Sequence, residues 1–346
     1  MSLKVDTSGR GPLDARGLPA PADVRRVLVV CLDNLGDLVF TAGLVPPLRA
    51  RFGDASVTLW CKEYAADVAA LVPDVDDVVA CDPFWDRAPG RAKGSFVRFA
   101  RTVKALRARR FDVALITSPQ WRAAASVRFT GARVRIAQER HRNRRFLTHV
   151  LPPADSTKPV MLDHASLLDA LDVPHGPLRY ALDARSIEDV RRRLRAAIGG
   201  PFTALHAFAS DRRRCVALSR WIDVARELER RGRSIVWVGS PQELSEVRAH
   251  SGTTERWRHS SEFTNGSLRE TAALVSLAEL FVGHDSGPMH VANAFGTPVV
   301  GIFAPGQPLR TFPQGVGRSR VVHASSPEPI DAARMLAAID ELARGA

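Results

Sequence analysis

From residue 25 onward the chain repeats one pattern, a short apolar run followed by an amphipathic stretch and then another short apolar run. Short runs apolar on both faces, alternating with helical periodicity, build parallel sheets covered by helices. Residues 27–32, 56–60, 78–81, 111–117 and 134–137 read as strands, and residues 38–52, 63–71, 96–109, 123–129 and 164–171 as helices. Pro46 and Pro47 fall inside the first helix and predict a kink or break there. The pattern then restarts. Residues 173–178, Val-Pro-His-Gly-Pro-Leu, interrupt helical periodicity and form the candidate linker. Beyond it, strands are expected at 203–206, 234–238, 280–283 and 299–303, with helices at 187–197, 221–231, 268–277, 289–295 and 330–342.

Two successive α/β units without a sequence repeat predict two Rossmann-like domains facing across a cleft. The expected division is a flexible leader at 1–23, an N-terminal domain at 24–178, a C-terminal domain at 179–327 and a C-terminal helix at 328–346 packing back on the N-terminal domain. With 45% hydrophobic and 25% charged residues, the 346-residue chain has the composition of a soluble globular protein. No apolar run is long enough to cross a bilayer, and residues 1–23 lack the basic-then-apolar pattern of a secretory signal. Cys31, Cys61, Cys81 and Cys215 are scattered, with no CxxC or Cys/His cluster, so neither a zinc site nor a disulfide framework is indicated. The ten histidines show no metal-ligand spacing, and no metal is expected. These features together point to the cytoplasm.

The net charge of +12 is unevenly spread. Between residues 87 and 145 a long series of Arg and Lys, Arg91, Arg101, Lys104 and Arg128 among them, is opposed only by Asp112 and Glu139. Such an excess is either a solvated face or a surface for anionic lipid, phosphorylated saccharide or nucleic acid. Neither zinc-finger spacing nor an aromatic RNA-binding strand interrupts it, which makes anionic glycolipid the preferred partner and nucleic acid the weaker one.

The most informative stretch is residues 282–305, VGHDSGPMHVANAFGTPVVGIFAP. A strand ends at His284, a polar turn Asp285-Ser286-Gly287 follows, and a helix begins near Pro288, a residue favoured at the first helical position. Such a helix start carries free N–H groups and the positive end of the helix dipole, which suits an anionic phosphate. Gly287 lets the backbone approach closely, and His290 on the first turn points towards the same crevice. The alternative is that Asp285 or Ser286 merely caps the helix.

This segment resembles the signature DSGxMHxAxAxGxPxVxxFxP of the ADP-heptose heptosyltransferases, a glycosyltransferase family with the GT-B fold. Leu35-Gly36-Asp37 after the first strand is similar to the family's entry into its first helix, and residues 111–116 resemble another of its strands. The resemblance extends from about residue 25 to the C-terminus, dispersed outside the long segment. It implies that Asp37 is the catalytic base, taking the proton from the acceptor hydroxyl; from the residues alone a cap of the following helix is equally open. It further implies that Asp285 holds the donor sugar, that Ser286 and Gly287 hold the diphosphate, that His290 donates to phosphate oxygens, and that Glu243 sits on the nucleotide ribose. For Glu243 an exposed acid at a helix start is the alternative.

Two departures stand out. A Pro-Gly-Ala turn of the family is replaced by His206-Ala-Phe-Ala-Ser210, where Ser210 is counted with the donor-binding set. A Lys before a Trp-Pro pair is replaced by Leu218-Ser-Arg-Trp-Ile222, leaving Arg220 or Arg214 to neutralise the leaving diphosphate. Asp33 is also unusual in the first loop. The implied activity is inverting transfer of a heptose-type sugar, from ADP-heptose, to a lipopolysaccharide-core or related glycan acceptor at the inner membrane face, with peripheral membrane contact and no cofactor beyond the donor substrate. The alternatives are a GT-B enzyme of another reaction, such as a nucleotide-sugar epimerase, and a non-catalytic nucleotide-sugar-binding protein.

Overall fold

The computed structural model of the chain describes residues 12–87, 92–118, 120–251 and 257–344. Residues 1–11 of the expected leader and Arg91 of the basic series lie outside the described residues. The chain divides into two compact units, Met1–Ser156 with Val160–Leu178 and Thr157–Pro159 with Arg179–Ala346.

The first unit holds β1 (Arg26–Cys31), β2 (Ser56–Cys61), β3 (Asp77–Ala80), β4 (Val113–Ile116), β5 (Val134–Gln138) and β6 (His149–Leu151). All pair in parallel, in the order β3-β2-β1-β4-β5-β6. After Arg26 every residue of β1 is buried, as is all of β4, because helices cover both faces of the central strands. Leu28, Val30, Trp60, Ala114 and Ile116 pack with Phe99, Leu106 and Val127 into the core on one of these faces.

The second unit holds β7 (Phe202–His206), β8 (Ser234–Trp237), β9 (Arg258–His259), β10 (Leu280–His284), β11 (Val299–Phe303) and β12 (Ser319–His323), also parallel, in the order β12-β11-β10-β7-β8-β9. In both sheets the chain runs outward from its first strand, then returns to build on that strand's other side. The reversal falls between β1 and β4 in one sheet and between β7 and β10 in the other. Ligands of open α/β sheets bind beyond the carboxyl ends of strands at such points.

The break expected at Pro46 and Pro47 divides the segment into two helices, Leu35–Ala42 and Val45–Phe52, with both prolines in the first turn of the second, where a missing N–H costs nothing. Two expectations need correction. The C-terminal helix, Ala332–Arg344, was expected on the N-terminal domain; its apolar residues Met335, Ala338, Ile339 and Leu342 instead lie in the second unit's core beside Val300 and Val322. Residues 12–23 are not a loose leader: Leu18 is buried, Arg16 pairs with Asp172 at 2.5 Å, and the Arg16 carbonyl meets His149 Nε2 at 2.9 Å. No helix of the described residues is long and apolar enough to cross a membrane.

Candidate active site

The sequence segment singled out above is built around two glycines that face each other. Gly283 in β10 and Gly301 in β11 are paired in register. A Cβ on Gly301 would lie 2.8 Å from Met289 Sδ, and one on Gly283 would lie 2.5 Å from the Phe281 ring. The bare Gly301 lets Met289 of the helix Gly287–Ala294 settle, fully buried, against the sheet, while Gly283 makes room for the Phe281 ring. The start of that helix therefore stands at the carboxyl end of β10, beside the end of β7. Ser286 is its extended N-cap residue; its hydroxyl donates to the His284 carbonyl at 3.0 Å and makes no side-chain cap bond. The first turn therefore has no side-chain acceptor from the cap; Pro288 in it has no N–H, and the Met289 N–H meets the Ser286 carbonyl at 3.2 Å.

Asp285 is a junction. Its Oδ2 accepts from Arg214 Nη2 at 2.5 Å and from the Thr311 hydroxyl at 3.2 Å, while Oδ1 lies 3.5 Å from His290 Nε2. Burial pushes its carboxyl upward, but His290 and Arg214 outweigh that effect and hold it below the ordinary carboxylate value. Arg214 also donates through Nε to the Pro305 carbonyl at 3.2 Å. His290 is 2% exposed, with Nδ1 at 3.1 Å from the Tyr180 hydroxyl, which in turn accepts the Gln314 N–H at 3.0 Å. Burial raises the Tyr180 phenol well above its usual value, so it remains protonated. The result is a connected set, Arg214–Asp285–His290–Tyr180, beside a helix N-terminus.

Of the residues expected at the donor site, Asp285, Ser286, Gly287, His290 and Arg214 come together. Arg220 does not join them; it sits exposed on the first turn of the helix Leu218–Arg230, and its neighbour Trp221 is wholly buried in the core. Ser210 is exposed in the loop after β7. Glu243 lies at the start of the helix Pro241–Ser251, where Oε2 accepts the Ser240 N–H at 2.8 Å while Ser240 Oγ accepts the Glu243 N–H at 3.3 Å, a reciprocal cap. Tyr180, Thr311 and Gln314 were not expected. Tyr180 stands just past the linker and Thr311 in a four-residue helix, Pro308–Thr311, and neither position carries a periodic or motif signal.

In the first unit Asp37 occupies the third position of the helix Leu35–Ala42, at the carboxyl end of β1. It forms a capping box with Asn34, accepting the Asn34 N–H on Oδ2 at 3.1 Å, yet its side chain is exposed. Cap and base are therefore compatible roles. Asp33 has a partner too: Gln120 Nε2 donates to its Oδ1 at 3.1 Å, and burial pushes its carboxyl up against the opposing pull of Ser118 and Lys62. Part of the basic excess is engaged internally. Arg98 pairs with Glu63 at 3.0 Å, Arg109 pairs with Asp77, and Arg135 donates to the Phe146 carbonyl at 2.8 Å. Arg101 and Lys104, on the helix Phe96–Ala108, are exposed.

The chain is 24% identical over 281 residues to lipopolysaccharide heptosyltransferase 3 of Escherichia coli, covering 78% of this chain and 80% of that one. Among solved structures, a family 9 glycosyl transferase from Veillonella parvula superposes with a TM-score of 0.82 at 18% identity, covering 94% of this chain and 99% of the other. The E. coli heptosyltransferase WaaC with ADP superposes at 0.75 and 16% identity, covering 92% and 99%. These likenesses give the two Rossmann-like units their GT-B fold class. The sequence model of glycosyltransferase family 9 (heptosyltransferase) matches residues 99–331, from the basic helix of the first unit through the whole of the second sheet, and the chain belongs to that family.

Proposed function

We propose that this glycosyltransferase moves a heptose-type sugar from ADP-heptose, with inversion, to a lipopolysaccharide-core or related glycan acceptor. The observation that carries the reading is the junction of Arg214, Asp285 and His290 beside the N-terminus of the helix Gly287–Ala294. A cation, a buried imidazole and the positive end of a helix meet there at the reversal point of the sheet, an arrangement suited to a diphosphate. In the reaction the acceptor oxygen attacks the anomeric carbon, and the bond from that carbon to the phosphate oxygen breaks. The hydroxyl proton passes to Asp37, and the nucleoside diphosphate leaves with its added charge met by Arg214 and the helix start.

Arg214 rather than Arg220 is the cation of choice, because it reaches Asp285 while Arg220 stands on an exposed helix face. Asp285 then serves by aiming Arg214 and His290 in addition to any contact with the sugar. Glu243 is proposed to meet the ribose, with its capping bond to Ser240 fixing its position. The reading calls on no cofactor, since the nucleotide sugar is itself a substrate.

The acceptor is proposed to be an anionic glycolipid or saccharide, met at the cytoplasmic side of the inner membrane. Support comes from the helix Phe96–Ala108, which exposes Phe96 and Val97 beside Arg101 and Lys104. Nucleic acid is not part of this reading. Titration of the purified protein with ADP, UDP and GDP and their sugars tests the donor site: preference for ADP supports it, and preference for UDP or GDP contradicts it. Donor conversion without an acceptor would favour an epimerase, and binding without turnover a non-catalytic protein.

A further inference from the structure

We propose that His284, which no motif role explains, is a positioning residue for the donor site: its imidazole ties the loop after β7 to the end of β10, so that Arg214 is delivered to Asp285. The inference rests on the reading of that site as a diphosphate site.

His284 is the last residue of β10 and is 1% exposed. Its Nδ1 lies 3.3 Å from the Ile302 carbonyl, and its Nε2 lies 3.2 Å from the Val216 amide nitrogen. A backbone N–H can only donate and a carbonyl can only accept, so the two contacts select one tautomer, protonated on Nδ1 and accepting on Nε2. Burial and the adjacent His206 hold the ring neutral, with its pKa lowered to about 3. The ring also meets the buried Trp221 edge-on, with centroids 5.2 Å apart, so it cannot swing away without disturbing the core.

The consequence for the site follows from chain proximity. Val216 lies two residues after Arg214, and His284 immediately precedes Asp285. One imidazole therefore couples the segments that carry the two halves of the ion pair. Elsewhere the loop is held by bonds within itself, such as the Arg214 N–H to the Asp211 carbonyl at 3.0 Å and the Ala209 N–H to Cys215 Sγ at 3.3 Å, and by the two bonds of Arg212 to Glu246 on the helix Pro241–Ser251, at 2.7 and 2.9 Å. Those bonds shape the loop but do not fix it to β10. The imidazole contact does, and Arg214 itself adds its bonds to Asp285 and the Pro305 carbonyl. With no imidazole acceptor, the Val216 N–H would be buried without a partner and the loop would shift to rehydrate it.

The test is a double-mutant cycle read by calorimetric titration with ADP. H284F keeps an aromatic edge against Trp221 and removes the acceptor; R214A removes the guanidinium. We expect H284F to weaken ADP binding about tenfold in the otherwise wild-type protein, but less than about twofold when R214A is already present, because contacting residues couple. Should H284F fail to fold, H284L, which also lacks an acceptor, replaces it with the same expected non-additivity, folding being checked by circular dichroism. Equal effects of the His284 change with and without Arg214, or an unchanged ADP affinity in a variant that melts at lower temperature, would make His284 a core residue only and overturn the inference while leaving the donor site standing. Failure of the wild-type protein to bind ADP would overturn both.

Discussion

Replacing Asp285 by Asn tests how the donor site is held together. The amide keeps the shape and one accepting oxygen but loses the charge that Arg214 meets at 2.5 Å, and it must present an NH2 group to either Thr311 or His290. A hydrogen bond to a charged group contributes about 1.5–3 kcal/mol when its loss leaves a partner buried. Arg214 retains the Pro305 carbonyl and is 30% exposed, so water recovers part of that loss. The expected cost is therefore about 1–2 kcal/mol, which for a unit of this size lowers the melting temperature by roughly 2–8 °C. Since the native carboxyl is held below its ordinary value of about 3.9, the stabilisation is present in full above that pH and is lost as pH falls through the lowered native value. The gap between wild type and variant should thus be constant from neutral pH to about pH 5 and close in more acid solution. Loosening Arg214 should also lower kcat/KM for the donor by about a hundredfold, the scale of one displaced transition-state cation or donor. Thermal melts across pH, with donor-saturation kinetics at neutral pH, measure both. A variant with wild-type melting and wild-type kinetics would refute the account of Asp285 as the residue that aims Arg214 and His290.

Asp37→Asn should preserve the cap, because its amide oxygen still accepts the Asn34 N–H, while turnover falls by about 10²–10⁴ and ADP affinity is unchanged; wild-type turnover would remove Asp37 as the base. Glu243→Ala should cost about 1 kcal/mol through the lost capping box and also weaken ADP, whereas a stability loss with intact ADP affinity would leave Glu243 as a cap alone. In flotation assays, anionic liposomes should retain the protein at low salt and release it at high salt, since exposed charges are screened beyond roughly 10 Å at 0.1 M. Equal binding to neutral liposomes, or none to either, would direct attention to a soluble acceptor.

The central strands were legible because burial on both faces leaves uninterrupted apolar runs, as in β1, β4, β10 and β11. Apart from β3, the edge strands were not. β6, β9 and β12 are short and partly exposed, and β12 carries Arg320 and His323 among its five residues, so no apolar run announces it. The helix Pro241–Ser251 escaped for a similar reason: it buries only Leu244, Val247 and Ser251. At the site, the Asp285 turn and the helix after it were readable because glycine, proline and acid stand next to one another in sequence. The choice between Arg214 and Arg220 was not, since it depends on which way a loop folds back onto a strand end some seventy residues distant, a contact of separation 71. Tyr180 lies 110 residues from His290 and is likewise invisible to local pattern.

In the proposed reaction a sugar leaves ADP in the second unit while a carboxylate of the first takes the acceptor proton. The most direct measurement is to incubate the enzyme with ADP-heptose and a heptose-deficient lipopolysaccharide core, quantify ADP release, and assign the anomeric configuration of the product by NMR. The expected result is one ADP released per heptose transferred, configuration inverted relative to the donor, and little product from the D37N protein. A retained configuration, or ADP-heptose left intact while a UDP or GDP sugar is consumed, would contradict it.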